Sequence, residues 1–110
     1  MLATKRKPAS VATGRRFAPA PPGEILAADF LEPMGLSVYA LANDLRVPRS
    51  RLNDIVLGRR AITTDTALRL ARYFGTNAEF WINLQSHYDL EVAKTTLKPN
   101  IEREVTPRAA

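Results

Sequence analysis

The sequence of 110 residues contains no cysteine and a single histidine, His87. Without cysteine there is no disulfide, no thiol nucleophile and no thiolate metal site, so a zinc finger is excluded. One histidine leaves neither a metal-binding cluster nor a histidine-based triad, and no glycine-rich phosphate loop is present. We therefore expect a protein that is not an enzyme and that uses no cofactor or metal.

Long apolar segments are also missing. No run approaches the ~20 residues of a membrane span. The basic N-terminus is followed by Pro8, Ser10 and Thr13 rather than by the apolar core of a secretory signal. These absences favour a soluble cytoplasmic protein without membrane contact, and the chain length supports one folded domain.

The formal net charge of +5 is unevenly distributed. Residues 1–16 carry five basic residues and no acidic one, whereas eleven basic and eleven acidic residues cancel from Phe17 onward. The segment 1–22 is also rich in alanine and proline without a hydrophobic period, which predicts a flexible, disordered tail. Such a basic tail either adds non-specific DNA affinity or only aids solubility.

Two short helical patterns, separated by a tight connection, occupy residues 36–60. The apolar residues of the first have the spacing of one helix face, with Ser37 as N-cap: Val38, Leu41, Ala42 and Leu45. Pro48 interrupts the pattern, and the second helix, with Leu52 and Ile55 on its apolar face, ends at Gly58. This layout predicts a helix-turn-helix, whose second helix enters the DNA major groove.

The outer face of the second helix carries side chains suited to bases and phosphates. Ser50, Asn53 and Asp54 lie opposite the apolar face at about 100° per residue. Five arginines surround that single acid: Arg46, Arg49, Arg51, Arg59 and Arg60. An ordinary helix with a solvated polar face is the alternative, but the whole arrangement favours DNA binding.

The remaining patterns predict three more helices. One runs from Pro22 to about Glu32, and another is capped by Thr63 or Thr64 and closed by Gly75. The last is capped by Asn77 and runs from Ala78 to about Glu91. Five helices and no strand predict an all-α domain over residues 23–92, followed by a C-terminal extension over 93–110.

Several apolar residues near the C-terminus are difficult to bury in so small a domain. We expect them to form a dimer contact: Tyr88, Leu90, Val92, Leu97 and Ile101.

Four segments are more specific than the helix-turn-helix layout: PRSRLNDI at 48–55, GRRAIT at 58–63, ALRLARYFGT at 67–76 and EFWINLQSHYDL at 79–90. With these segments the chain resembles the HigA antitoxin family of the Xre/lambda-repressor-like group. The resemblance implies a five-helix lambda-repressor-like fold and a homodimeric, nucleoid-associated antitoxin. Such a protein neutralises a HigB-type ribonuclease toxin by direct binding and represses its own operon at a palindromic operator.

The resemblance also implies which residues contact double-stranded DNA. The reading positions are those at the start of the second helix of the motif: Arg49, Ser50, Arg51, Asn53 and Asp54. Ser37 and Val38 lie where related repressors touch the backbone or a neighbouring base. The phosphate-contacting positions beyond the reading helix are Arg59, Arg60, Thr63 and Thr64.

The turn between the two helices of the motif departs from the family pattern. The turn residue most often filled by glycine is Arg46 here, and a left-handed conformation would cost it about 1 kcal/mol.

Two other functions fit parts of the pattern. A stand-alone Xre-type repressor without a toxin would have the same fold, and an adjacent ribonuclease gene would separate the two. A protein-interaction module without a DNA role is disfavoured by the arginine cluster.

Overall fold

The computed structural model describes residues 19–109, which form six helices and no strand. The helices are α1 (Pro22–Met34), α2 (Val38–Leu45), α3 (Arg49–Val56), α4 (Thr64–Phe74), α5 (Ala78–Thr96) and α6 (Lys98–Glu104). The predicted all-α class and the five predicted helices are confirmed, while α6 was not predicted. Most of the predicted N-terminal tail lies outside the described residues.

Side-chain caps begin three of the helices. The Ser37 hydroxyl accepts a hydrogen bond from the Ala40 N–H at 3.0 Å, at the start of α2. The Asn77 side chain accepts from the Phe80 N–H at 2.8 Å, at the start of α5. Of the two threonines considered for α4, Thr63 is the cap. Each cap satisfies a backbone donor that the helix itself leaves unpaired, and so sets where the helix starts.

A left-handed residue follows the end of each of the first four helices. Three of these residues are glycines, namely Gly35, Gly58 and Gly75, and the fourth is Arg46, with φ 62°. The Val47 N–H donates to the Ala42 carbonyl at 3.1 Å, which closes a Schellman motif at the end of α2. The turn of the helix-turn-helix is therefore well formed, although it holds an arginine where glycine has no steric penalty.

The core of the unit formed by residues 20–89 lies between the apolar faces of α1–α5. Its buried hydrophobic residues are Leu26, Leu31, Leu41, Ala42, Leu45, Leu52, Ile55, Ile62, Ala67, Leu70 and Trp81. Phe30 joins them in an aromatic cluster, with its ring centroid 4.8 Å from Phe74 and 5.0 Å from Trp81. The apolar stripes predicted from the sequence are therefore the faces that pack together.

Helix α1 packs closely against the end of α3. A Cβ atom added to Gly23 would lie 1.7 Å from the Ile55 carbonyl oxygen, so only glycine fits there. The middle of α1, Leu26–Leu31, is a π-helical segment rather than regular α-helix. The sequence pattern did not predict this wider turn.

Residues 90–109 contain the end of α5 and all of α6. Helix α5 continues to Thr96, past the predicted end near Glu91. Helix α6 has no buried residue.

No single helix within residues 19–109 is both long enough and apolar enough to cross a membrane. Helices α1 and α2 meet the length and composition requirement only as a pair bent by 98°. Their large apolar residues Leu26, Leu31 and Leu41 belong to the core described above.

Candidate nucleic-acid interface

An open groove lies where the start of α2 meets α3. The groove has a volume of ≈ 510 Å³, and we call it the reading groove. Its lining residues are Val38, Arg49, Ser50 and Asn53. Because α3 buries Leu52 and Ile55, its helical period turns positions 50 and 53 outward. The groove thus presents a guanidinium, a hydroxyl and an amide, which are groups that hydrogen bond to base edges.

Arg49 lies over an aromatic ring. Its Cζ atom is 5.1 Å from the ring centroid of Tyr39, in the first turn of α2. Tyr39 is 63% exposed, so it is not part of the core. Sequence reasoning missed Tyr39 as a functional residue. The available signal was an aromatic residue outside the apolar stripe of α2 and next to the predicted contact Val38.

Arg51 is held by an acid on another helix. Its guanidinium donates to the Asp65 carboxylate at 2.9 Å, and Arg69 donates to the same oxygen at 3.0 Å. Arg69 also donates to the Leu45 carbonyl at 2.9 Å. The network therefore links α3 and α4 to the end of α2. The hydrogen bonds from Arg69 and Arg51 lower the pKa of Asp65 below its ordinary value of 3.8.

Residues that were predicted to contact phosphate lie beside this network. A second recess, of ≈ 340 Å³, is called the arginine recess here. It is lined by Arg51, Arg60, Ala61, Thr63, Asp65, Thr66 and Arg69. Thr64 is the first residue of α4 and is exposed. Arg51 and Arg69 are paired with Asp65, so Arg60 and the N-terminus of α4 form the part of the recess suited to a backbone phosphate.

The loop between α3 and α4 carries the other predicted phosphate contacts. The two carboxylate oxygens of Asp54 lie 4.0 Å from Nη1 of Arg59 and 3.8 Å from Nη2 of Arg60, so the carboxylate faces this loop. These distances describe loose, exposed ion pairs that hold the arginines weakly.

A buried glutamine anchors the same loop. The Gln85 side chain on α5 accepts a hydrogen bond from the Ile62 N–H at 2.8 Å, and its amide donates to Asp89 at 2.9 Å. Gln85 is 9% exposed, so leaving the Ile62 N–H unpaired would be costly. The loop that bears Arg59 and Arg60 is therefore fixed at its far end.

Ser37 has a structural role as well as its predicted contact. Its hydroxyl oxygen accepts the cap hydrogen bond of α2. The cap uses the hydroxyl oxygen as an acceptor only, so the hydroxyl hydrogen remains available to donate a second hydrogen bond.

The predicted dimer residues are divided between the two units of the chain. Tyr88 belongs to residues 20–89 and is half-buried. The others lie in residues 90–109, where Leu90, Leu97 and Ile101 are at least 50% exposed and Val92 is half-buried.

In the part of the chain that the structure describes, no group of three or more His, Cys, Asp or Glu side chains could hold a metal ion.

The paired helices and their turn define the helix-turn-helix class, and the family model described as helix-turn-helix matches residues 28–81. "Virulence-associated protein I" of Dichelobacter nodosus is 54% identical over 86 residues, which span 77% of this chain and 80% of that protein. An addiction module antidote protein of the HigA family from Coxiella burnetii has 47% identity and a TM-score of 0.77, covering 83% of this chain and 99% of that one.

The Pseudomonas aeruginosa antitoxin HigA, solved with the higBA promoter, has 46% identity and a TM-score of 0.80. The match covers 83% of this chain and 99% of that one. The chain belongs to the HigA family of helix-turn-helix proteins.

Proposed function

We propose that this protein is the antitoxin of a HigBA-type toxin–antitoxin system. As a homodimer it represses its own operon at a palindromic operator, and it neutralises a HigB-type ribonuclease toxin by direct binding. The observation that carries the DNA-binding part is the reading groove, whose polar side chains lie on α3, the helix that precedes the loop with Arg59 and Arg60. The similar Pseudomonas antitoxin, solved with its promoter, supports the same function.

Helix α3 reads bases in the major groove. Asn53 is exposed in the groove, and its amide can donate to N7 and accept from the N6 amino group on the major-groove edge of an adenine, while Arg49 suits guanine. Ser50 and Val38 complete the contact on either side. Arg51 and Asp54 both belong to the predicted reading set, but each is already paired within the protein. We therefore assign Arg51 the orientation of α3, whereas Asp54, whose pairs are loose, stays in the reading set.

Phosphates are bound on both sides of α3. Arg59, Arg60, Thr63 and Thr64 contact the backbone beyond the reading helix, and Ser37 contacts it at the start of α2. These contacts set the register of the protein on the duplex and make its affinity salt-dependent.

A second copy of the chain supplies the other half-site. The exposed apolar side chains of residues 90–109, with Tyr88, form the contact between the copies. Two α3 helices about 34–36 Å apart, or a multiple of one helical turn, then match a palindrome. In this division residues 23–92 form the DNA-binding domain, 93–110 the dimer contact, and 1–22 a basic tail.

Two substitutions test the DNA-binding proposal. Asn53→Ala is expected to lower the preference for the operator over a random duplex by about 1–3 kcal/mol, because a base contact is lost. Arg59→Ala is expected to weaken binding to both duplexes alike and to reduce the slope of log affinity against log salt by about 0.9. Affinities of both duplexes over a salt series measure these effects, with sedimentation giving two chains per operator.

Arg72→Ala is the matched control, since Arg72 is an exposed arginine of α4 that lines neither the reading groove nor the arginine recess. It should leave both affinities and the salt slope unchanged. Wild-type affinities that do not differ between operator and random duplex would refute sequence-specific binding.

Co-expression with the product of the neighbouring gene, followed by co-purification, tests the toxin partner. Recovery of a complex with a small ribonuclease supports the antitoxin function. Operator binding without such a complex would instead identify a stand-alone repressor.

A further inference from the structure

The arginines near α3 differ in what holds them. Arg51 is paired with Asp65 at 2.9 Å, and Arg59 and Arg60 lie near Asp54. Within residues 19–109, Arg49 has no carboxylate partner. Its neighbour is the ring of Tyr39, at 5.1 Å.

This difference matters for binding an anion or a base edge. A carboxylate orders an arginine but offsets its charge, and the pair must open before the arginine bonds elsewhere. An aromatic face attracts the guanidinium through its quadrupole and carries no net charge. The planar guanidinium over a ring keeps its full charge and the donors at its edge.

The position of Tyr39 fits such a role. It lies in the first turn of α2, directly after Val38, which lines the reading groove with Arg49. Tyr39 is 63% exposed, so its replacement leaves the core intact. A long arginine side chain loses rotamer freedom when it binds, and ordering it beforehand reduces that loss.

We propose that Tyr39 is a positioning residue that orders Arg49 for base recognition in the reading groove. Its aromatic ring, rather than its hydroxyl, performs this role. The inference rests on the proposed function, since it concerns how the DNA-reading groove achieves specificity.

The test compares Tyr39→Phe, which keeps the ring, with Tyr39→Leu, which keeps apolar bulk without it. In the free full-length protein, the NMR order parameter of the Arg49 Nε–H should fall in Tyr39→Leu and stay at the wild-type value in Tyr39→Phe. The DNA probe is a duplex enriched by the wild-type protein from a random pool, with a scrambled duplex as reference.

Tyr39→Leu should weaken binding to the enriched duplex about two- to fivefold, and Tyr39→Phe should bind like wild type. The salt slope should be unchanged in both variants, whereas Arg49→Ala should lower it by about 0.9 because a charge is removed. In the Arg49→Ala background, Tyr39→Leu should have no further effect, since the residue it positions is gone.

Three results would overturn the inference. An unchanged Arg49 order parameter in Tyr39→Leu would show that the ring does not order the side chain. An equal loss of affinity in Tyr39→Phe would assign the effect to the hydroxyl. A full Tyr39→Leu effect in the Arg49→Ala background would show that Tyr39 acts without Arg49. If the wild-type protein enriches no duplex, the proposed function fails, while the order parameter still decides whether the ring orders Arg49.

Discussion

Replacing Arg46 by glycine should stabilise the protein. Arg46 has φ 62° and ψ 44°, the left-handed conformation that the turn between α2 and α3 requires. The residue is exposed, and its side chain makes no hydrogen bond or ion pair within the described part of the chain. The substitution therefore removes a steric penalty without removing a contact of the side chain.

The size of the effect follows from two opposing terms. A left-handed residue other than glycine costs about 1–2 kcal/mol because its Cβ crowds the following carbonyl. Glycine loses more conformational entropy on folding, and this disadvantage is about 0.4–1 kcal/mol. The midpoints of these two ranges give a net gain of about 0.8 kcal/mol in the free energy of unfolding, or roughly 3–6 °C in Tm.

Urea unfolding followed by circular dichroism measures the change, and the midpoint should rise without a change in slope. Arg46→Ala is the matched control, because it removes the same charge but keeps the strained backbone. Gly75→Ala makes the opposite change at φ 74°, where an added Cβ meets nothing within 4 Å. That variant should lose stability by a similar amount.

A gain in Arg46→Ala equal to that in Arg46→Gly would refute the reasoning, since the charge and not the backbone would then be the cause. No loss in Gly75→Ala would also contradict it.

Two further predictions concern the contacts around α3. Gly23→Ala should lower the free energy of unfolding by about 3 kcal/mol or more, because the added Cβ would lie 1.7 Å from the Ile55 carbonyl oxygen and α1 must move. A Tm equal to that of wild type would disprove this close approach. The hydrogen bonds from Arg69 and Arg51 lower the pKa of Asp65 in the folded state. Its ion pairs should therefore stabilise the protein near pH 7. This stabilisation should be lost as the pH falls through the folded-state pKa, which lies below 3.8. The stability difference between wild type and Asp65→Asn should thus shrink in acid, and an Asp65 carboxyl NMR titration with a midpoint at or above 3.8 would contradict it.

Short-range patterns in the sequence were sufficient for the helices and for much of the candidate site. The caps at Ser37 and Asn77 and the end of α3 at Gly58 involve atoms only a few residues apart, so residue type and spacing predict them. The same helical period that identifies the buried Leu52 and Ile55 also turns Ser50 and Asn53 outward. Recognition of the family then supplied the residues expected to contact DNA.

The partners of those residues were not predictable in this way. Arg51 pairs with Asp65, fourteen positions away, and Ile62 is held by Gln85, twenty-three positions away. Such pairs form only when separate helices pack at a particular angle and register, which periodicity within one helix does not specify. The same holds for the ring of Tyr39 beside Arg49.

The sequence alone thus determined where the first five helices of this protein start and which face of α3 is polar, because these properties depend on neighbouring residues. Only the tertiary structure decided which arginine is held by a carboxylate and which by an aromatic ring. The partner of each arginine depends on distances between helices. Arg51 is fixed within the protein by Asp65, whereas Arg49 is ordered by the ring of Tyr39 and keeps its full charge.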